Sequence, residues 1–216
     1  MADRPTRIVL TGFSGTGKSA AAPLIAHRLG WEVADTDEAV ERETGKPILD
    51  IFRDEGEEAF RDWESRALAA ACERREVVVS TGGGAVLRPA NRRLMASRGF
   101  VVCLEARPET ISDRLKGRAS DEPLDRPLLA TGDPLQRIRE LKEARQNLYA
   151  LCDWTVQTDL LTPEQVAEEV IESWQRFAED AADDPERVGQ LSSEEPSASA
   201  LVTLHAVSPD AAGMVM

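Results

Sequence analysis

Short apolar runs alternate along the chain with longer segments whose apolar residues recur at helical spacing. The apolar runs predict five buried strands, at Arg7–Thr11, Trp31–Ala34, Val77–Ser80, Phe100–Leu104 and Trp154–Gln157. The remaining segments predict helices at Lys18–Leu29, Ile48–Phe52, Glu57–Arg75, Ala90–Ser97, Glu109–Lys116, Pro134–Leu151 and Pro163–Phe177. Strands that alternate with helices indicate a parallel sheet with helices on both faces. The pattern therefore predicts an α/β fold of three layers.

The alternation ends near Phe177, which predicts one domain over residues 1–177 and a tail over 178–216. Ala, Ser, Asp, Glu and Pro dominate the tail, which contains eight acidic residues and one basic residue. The tail therefore carries −7 of the net charge of −13, and the domain ahead of it is only mildly acidic. Because such a composition buries too little apolar surface to offset the entropy of ordering, the tail is predicted to be disordered.

Composition argues against several classes of protein. A net charge of −13 disfavours a nucleic-acid partner, which requires a basic face. No apolar run approaches the ~20 residues of a membrane span, and the amino terminus has no apolar secretory stretch, so we expect a cytoplasmic protein. Three separated cysteines, expected to be buried thiols, and two histidines offer little material for a zinc site or a histidine-based triad.

The segment Gly12–Ser19 matches the phosphate-binding pattern G-x-x-x-x-G-K-[ST] at every fixed position, between a predicted strand and a predicted helix. Its glycines allow backbone N–H groups to face a phosphate, and the helix amino terminus adds a positive dipole. Lys18 can reach the β- and γ-phosphates of a nucleotide, and the Ser19 hydroxyl can bind Mg²⁺. The predicted nucleotide-binding residues of this loop are Gly15, Thr16, Gly17, Lys18, Ser19 and Ala20.

Two carboxylates, Asp35 and Asp37, follow the second predicted strand. Ligands of open parallel sheets bind at the carboxyl ends of the strands, so this pair is expected beside the phosphate loop. In an extended segment the two side chains would point the same way, one toward magnesium and the other toward an acceptor hydroxyl. The alternative interpretation is that Asp37 is the N-cap of a helix that begins at Glu38.

Three further segments carry candidate binding groups. Glycine-rich Ser80–Ala85 directly follows a strand, which indicates close approach of the backbone to a ligand. Arg126 ends a charged loop that could close as a lid over the γ-phosphate. Arg61 and Arg145 lie on predicted helices. Taken alone, Arg61 is typical of a solvated or salt-bridged arginine, and Arg145 is typical of a surface charge. These residues together predict a P-loop kinase for a small molecule and leave the acceptor open.

At this level of detail the chain resembles shikimate kinases over about residues 6–177. The resemblance rests on signatures in a fixed order: Gly12–Ser19, Asp35–Asp37, Thr44–Ile48 leading into Ile51-Phe52, Gly56-Glu57, Phe60-Arg61 with Glu64, Ser80–Ala85, Arg126–Leu129, and Arg145 with Leu148-Tyr149. It implies a five-stranded parallel sheet of the nucleoside-monophosphate-kinase type, a substrate-binding region at about 37–64 and a lid at about 116–129. The implied reaction transfers the γ-phosphoryl of ATP to the 3-hydroxyl of shikimate, in the pathway to chorismate and the aromatic amino acids.

The resemblance also implies roles for individual residues. For the acceptor, Asp37 would contact the shikimate hydroxyls and act as the base. Arg61 and Arg145 would bind the carboxylate, and the Gly83 backbone would contact the substrate. For the nucleotide, Asp35 and Ser19 would organise Mg²⁺, Lys18 and Arg126 would neutralise the transferring phosphoryl, and Arg114 would stack on adenine. ATP and shikimate are then the only implied partners of a monomeric enzyme.

Two departures and three alternatives accompany this interpretation. The lid is unusually acidic for a segment beside a triphosphate, with Asp121, Glu122 and Asp125, and no aspartate ends the strand Val77–Ser80. A kinase for gluconate or a nucleoside monophosphate is the nearest alternative. A GTP-dependent switch would require an Asn-Lys-x-Asp motif, which the sequence lacks, and a catalytically silent ATP-binding module would be expected to lose Lys18 or Asp37.

Overall fold

A computed structural model of the protein describes residues 5–118 and 133–183. The strands in this part of the chain are β1 Arg7–Thr11, β2 Glu32–Asp35, β3 Val77–Ser80, β4 Phe100–Glu105 and β5 Trp154–Gln157. The helices are α1 Lys18–Leu29, α2 Thr36–Thr44, α3 Ile48–Asp54, α4 Glu57–Glu73, α5 Pro89–Arg98, α6 Pro108–Arg118, α7 Pro134–Tyr149 and α8 Pro163–Asp183, with a 3₁₀ turn at Ala85–Leu87. The five predicted strands are confirmed to within a residue or two.

The strands form one parallel sheet in the order β2-β3-β1-β4-β5. Strand β1 lies at the centre, where Leu10 pairs with Ser80 of β3 and Thr11 pairs with Cys103 of β4. The carboxyl ends of β1, β2 and β3 therefore meet at one edge of the sheet. Since the phosphate loop follows β1, the polar residues that end β2 and β3 are placed beside it.

Alternation along β1 divides the core into two layers. Ile8 and Leu10 are fully buried on the face covered by α1 and α8. Val9 is fully buried on the opposite face, against α4, α5 and α7. The predicted three-layer arrangement is confirmed, because helices cover both faces of a parallel sheet. Helix α8 also contacts the segment ahead of β1: the indole N–H of Trp174 donates to the Pro5 carbonyl at 3.0 Å.

A smaller apolar cluster lies under the helices that follow β2. It joins α2, α3 and α4 through Val40, Ile51 and Phe60, all of which are buried. Phe52 packs on Phe60 with 4.7 Å between ring centroids. This cluster fixes the helices of the predicted substrate-binding region against one another and leaves their polar faces toward the sheet edge.

Two elements differ from the prediction. Helix α2 was not among the predicted helices. Only two of its nine residues, Thr36 and Val40, are buried, so its apolar spacing is too sparse to detect. Helix α8 continues to Asp183 rather than ending at Phe177, and Ala178 is buried on the domain. Residues 119–132, which include Arg126 and most of the predicted lid, and the tail residues 184–216 lie outside the described residues.

The predicted thiols are free, with Cys72 and Cys103 buried and Cys152 half-buried. Burial raises the pKa of Cys72 to about 11, which keeps that thiol protonated and unreactive. Among the described helices, none combines the length and apolar character that a membrane span requires.

Truncation tests where the domain ends. A chain that ends at Asp183 is expected to retain the activity and melting temperature of the full chain, whereas one that ends at Phe177 loses the buried Ala178 and the last turns of α8. The shorter chain should melt lower, by about 2–4 °C for each kcal/mol lost. Thermal unfolding and activity assays on both chains measure this. A large loss of activity in the chain that ends at Asp183 would show that the tail supports the domain.

Candidate active site

The phosphate loop between β1 and α1 depends on glycine at specific positions. Gly12, Gly15 and Gly17 have φ angles of +129°, +87° and +105°, a region that side chains other than glycine rarely adopt. A Cβ atom on Gly12 would lie 2.2 Å from the Leu104 carbonyl oxygen of β4. The loop therefore sits directly on the end of β4, with its backbone turned toward the open edge of the sheet.

Lys18 is buried within this loop, with a side chain that folds back over it. Its ammonium group donates to the carbonyl oxygens of Gly12 at 2.7 Å and Phe13 at 2.9 Å. The Thr16 hydroxyl also donates to the Phe13 carbonyl, at 2.8 Å. These bonds hold the positive charge at the centre of the loop, where a phosphate would meet it.

Arg114 of α6 lies against the outer side of the phosphate loop. It donates to the Thr158 hydroxyl at 2.9 Å and to the Thr158 carbonyl, and it is 3.4 Å from the Thr16 carbonyl. The Thr158 hydroxyl in turn donates to the Thr16 carbonyl at 3.0 Å. Arg114 therefore lies beside the loop, and Thr158, which directly follows β5 and which no motif indicated, supports it.

The predicted extended geometry of Asp35 and Asp37 is wrong. Helix α2 begins directly after β2, and Asp35 is its N-cap, with Oδ1 accepting from the backbone N–H of Asp37 at 2.9 Å and of Glu38 at 3.3 Å. Asp37 thus lies in the first helical turn rather than in a strand. The alternative interpretation, in which Asp37 is the N-cap, is also wrong, because the N-cap is Asp35, two residues earlier. Ser19 Oγ lies 3.4 Å from Asp35 Oδ2, so both predicted magnesium ligands are adjacent.

A cavity of about 310 Å³, here called the acceptor pocket, lies between α2, α4, α7 and the glycine turn Gly82–Gly84. A smaller cavity, the phosphate pocket, is lined by the phosphate loop and includes Lys18. The two cavities share five lining residues: Ser14, Ser19, Asp35, Asp37 and Gly83. A molecule in the acceptor pocket would therefore face a nucleotide phosphate across Asp37.

Arg61 of α4 lies in the wall of the acceptor pocket and is only 5% exposed. It pairs with Glu64 at 2.8 Å and with Glu57 at 3.0 Å, one helical turn away on either side. Glu64 is itself 1% exposed, and burial raises the pKa of its carboxyl while Arg61, Arg145 and Arg88 lower it. Of the two alternatives that the sequence left for Arg61, the salt bridge is confirmed, but it is a buried one.

The glycine turn approaches these charges closely. A Cβ on Gly84 would lie 2.1 Å from Arg61 Nη1, and one on Gly82 would lie 2.6 Å from both Asp37 Oδ1 and Glu64 Oε1. The glycine run predicted close approach to a ligand, which stays a prediction; the structure shows close approach to side chains of the pocket. Glu64 belongs to a signature named in the sequence analysis, but no role was predicted for it. Its i, i+3 spacing from Arg61 could have predicted the salt bridge between them.

Arg145 of α7 is 8% exposed and lies in the same pocket, so its interpretation as a surface charge is wrong. Its guanidinium carbon is 5.9 Å from the centre of the Phe13 ring, which belongs to the phosphate loop. One turn further on, the Tyr149 hydroxyl donates to the Gly83 carbonyl at 2.6 Å. Helix α7 therefore contributes a cation to the pocket and a hydrogen bond to its glycine turn.

A phosphate loop beside a separate pocket with its own carboxylate and arginines defines a P-loop kinase for a small molecule. A family model described as shikimate kinase matches residues 14–175. The chain belongs to the shikimate kinase family.

Individual relatives agree over most of the domain. A shikimate kinase of Thermodesulfovibrio yellowstonii is 40% identical over 171 residues, which cover 79% of this chain and 96% of that protein. One of Symbiobacterium thermophilum is 43% identical over 173 residues, which cover 80% of this chain and 98% of that protein. The solved structure of shikimate kinase from Acinetobacter baumannii in complex with shikimate is similar with a TM-score of 0.72 and 34% identity, covering 77% of this chain and 91% of that one.

Removing the Lys18 ammonium tests the phosphate pocket. Lys18→Ala is expected to abolish measurable turnover, because loss of one charge-stabilising contact commonly costs ~3–4 kcal/mol of barrier, a factor of about 10²–10³ in rate. The exposed Arg176 of α8 provides a control, since Arg176→Ala likewise removes one positive charge, but from the surface and outside both pockets. Steady-state ADP release measures both variants. Turnover of Lys18→Ala within tenfold of the unchanged chain would contradict the assignment.

Proposed function

We propose that this chain acts as a shikimate kinase, transferring the γ-phosphoryl of ATP to the 3-hydroxyl of shikimate with release of shikimate 3-phosphate and ADP. The observation that carries the proposal is the pair of buried arginines, Arg61 and Arg145, in a pocket that meets the phosphate loop at Asp37. A small acid that carries several hydroxyls fits such a pocket, because guanidinium groups bind a carboxylate in a bidentate manner. The Gly83 backbone is adjacent and is assigned to the same substrate.

The buried charges support an anionic acceptor. Arg61 pairs with Glu57 and Glu64, and Arg145 lines the same pocket over the Phe13 ring, close enough to Glu64 to lower the pKa of that carboxyl. Because a guanidinium group in a pocket wall can also bind a ligand carboxylate, two buried arginines favour a ligand that brings negative charge. The carboxylate of shikimate supplies that charge, while gluconate and a nucleoside monophosphate would bring it on differently shaped molecules.

Asp37 is the assigned base. It lines both pockets, so an acceptor hydroxyl beside it would lie between the carboxylate and the γ-phosphoryl. Asp37 would orient this hydroxyl and take its proton as the oxygen attacks phosphorus. Lys18 would leave the Gly12 and Phe13 carbonyls to neutralise the phosphates. Arg126, outside the described residues, is assigned a similar role at the transferring group.

The donor set beside the loop fits magnesium. The Ser19 hydroxyl and the Asp35 carboxylate are oxygen donors 3.4 Å apart, and Mg²⁺ typically takes one or two protein oxygens together with phosphates and waters. Across residues 5–118 and 133–183, no group of three or more His, Cys, Asp or Glu side chains could hold a metal ion. When bound, the cation would neutralise phosphate charge. Ser19 and Asp35 would orient it.

The remaining assignments follow the same proposal. Gly15, Thr16, Gly17 and Ala20 would contact the phosphates through backbone groups at the start of α1. Arg114 would contact the adenine from beside the loop. Residues 116–129 are assigned as a lid, and residues about 37–64 as the substrate-binding region. The enzyme is proposed to be a cytoplasmic monomer that binds neither nucleic acid nor membranes.

A substrate screen tests the acceptor. With ATP and magnesium, the purified chain is expected to release ADP rapidly with shikimate and only slowly with gluconate or nucleoside monophosphates. A coupled assay for ADP measures each rate. A clear preference for gluconate or a nucleotide would assign the chain to another small-molecule kinase activity.

Arg61→Lys tests whether Arg61 binds the carboxylate of shikimate, without leaving the buried Glu64 carboxylate unpaired. An alanine would leave the buried Glu64 carboxylate unpaired, whereas lysine retains the positive charge and loses only the planar fork. The KM for shikimate is expected to rise about tenfold, the equivalent of about 1.4 kcal/mol, with little change in the KM for ATP. Arg88→Lys is the matched control, since Arg88 also pairs with acidic residues of α4 outside the pocket. An unchanged KM for shikimate in Arg61→Lys would disprove the role of Arg61.

A further inference from the structure

The glycine turn Gly82–Gly84 touches two of the side chains assigned to the acceptor, Asp37 and Arg61. Gly82 packs against Asp37, Gly84 packs against Arg61, and Gly83 accepts a hydrogen bond from Tyr149. Tyr149 lies one helical turn beyond Arg145 on α7, and it is 1% exposed behind the pocket lining. The hydroxyl of this tyrosine is therefore the point at which α7 is joined to the turn.

We propose that Tyr149 is a positioning residue for the acceptor: its hydroxyl fixes the Gly83–Gly84 peptide and, together with it, the orientation of Arg145 in the pocket. The proposal rests on the proposed function, because it assumes that Gly83 and Arg145 bind the acceptor. It assigns a role to a residue that lies outside the pocket lining and that would act only through these two groups.

The turn needs such a fixed point. Three consecutive glycines carry no side chain that restricts φ and ψ, so the segment has much conformational entropy to lose on ordering. The carbonyl of Gly83 and the N–H of Gly84 share one planar trans peptide, so a bond that fixes the first also fixes the direction of the second. The 2.6 Å bond from Tyr149 thus sets the orientation of a backbone donor next to Arg61.

The same hydroxyl is coupled to Arg145. Burial raises the pKa of Tyr149 above its ordinary range, although the charge of Arg145 and a hydrogen bond with it act in the opposite direction. The hydroxyl therefore remains a protonated donor throughout the pH range of an enzyme assay. With the Phe13 ring on the guanidinium group, Arg145 is confined between the phosphate loop and Tyr149. Loss of the hydroxyl would loosen both the turn and this arginine.

The test is Tyr149→Phe, which removes one oxygen and keeps the ring. The KM for shikimate is expected to rise about five- to tenfold, while kcat and the KM for ATP stay within about twofold, because Gly83 and Arg145, the groups that Tyr149 would position, are assigned to the acceptor. Ser173→Ala is the matched control: it deletes a buried hydroxyl of α8 that donates to Val170 at 2.9 Å, far from the pocket. If the role of Tyr149 were purely structural, Tyr149→Phe would behave like the control: its melting temperature would fall, and its KM for shikimate and KM for ATP would not change.

The outcomes separate this inference from the proposed function. If the unchanged chain does not phosphorylate shikimate, the proposed function fails regardless of Tyr149. If it does, and Tyr149→Phe binds shikimate within twofold of the unchanged chain, the positioning role alone is overturned.

A second measurement does not depend on a variant. Tyr149 is the single tyrosine of the chain, so growth with 3-fluorotyrosine places one fluorine label at this position. Addition of shikimate is expected to displace the ¹⁹F resonance, and addition of ADP alone to displace it much less. A resonance that shikimate leaves unmoved in the active labelled enzyme would overturn the proposal.

Discussion

The carboxylate of Asp35 determines how the two cavities meet. By accepting the backbone N–H groups of Asp37 and Glu38, it ends β2 and starts α2 within a single residue. This sharp change places Asp37 at the boundary of the two pockets and leaves the other Asp35 oxygen beside Ser19. Helix α2 then packs on α3 and α4 through Val40 and forms one wall of the acceptor pocket. The site thus depends on a helix cap whose second carboxylate oxygen is proposed to orient magnesium.

Charge balance explains why Arg61 is held in place in the acceptor pocket before a substrate arrives. The buried Arg61 has two carboxylate partners on its own helix, Glu57 and Glu64. Glu64 pairs with Arg61 through one of its oxygens, Oε2. Within the described residues the other oxygen, Glu64 Oε1, has no hydrogen-bond partner and faces Gly82. A buried ion pair contributes little net stability but fixes geometry, since removal of either partner strands a charge. The pocket therefore keeps its arginine in place at the expense of some stability.

Much of this architecture was predictable because it rests on local patterns. The strands are nearly continuous apolar runs, and the phosphate loop has a fixed glycine spacing, so both were located from sequence alone. Helix α2 was missed because two buried positions in nine give no clear period, and the geometry of Asp35 and Asp37 was wrong for the same reason. The burial of Arg145 depends on how α7 packs against Phe13 and the glycine turn, contacts between distant segments that no local spacing records.

The bond between the Trp174 indole and the Pro5 carbonyl has a practical consequence. Pro5 precedes β1, so it lies at the amino edge of a parallel sheet whose carboxyl edge carries both pockets. Pro5 and helix α8 consequently meet at the edge of the sheet opposite both pockets. A protein fused ahead of residue 5, or a surface linker attached there, would approach from behind the sheet and leave the entrance for both substrates clear.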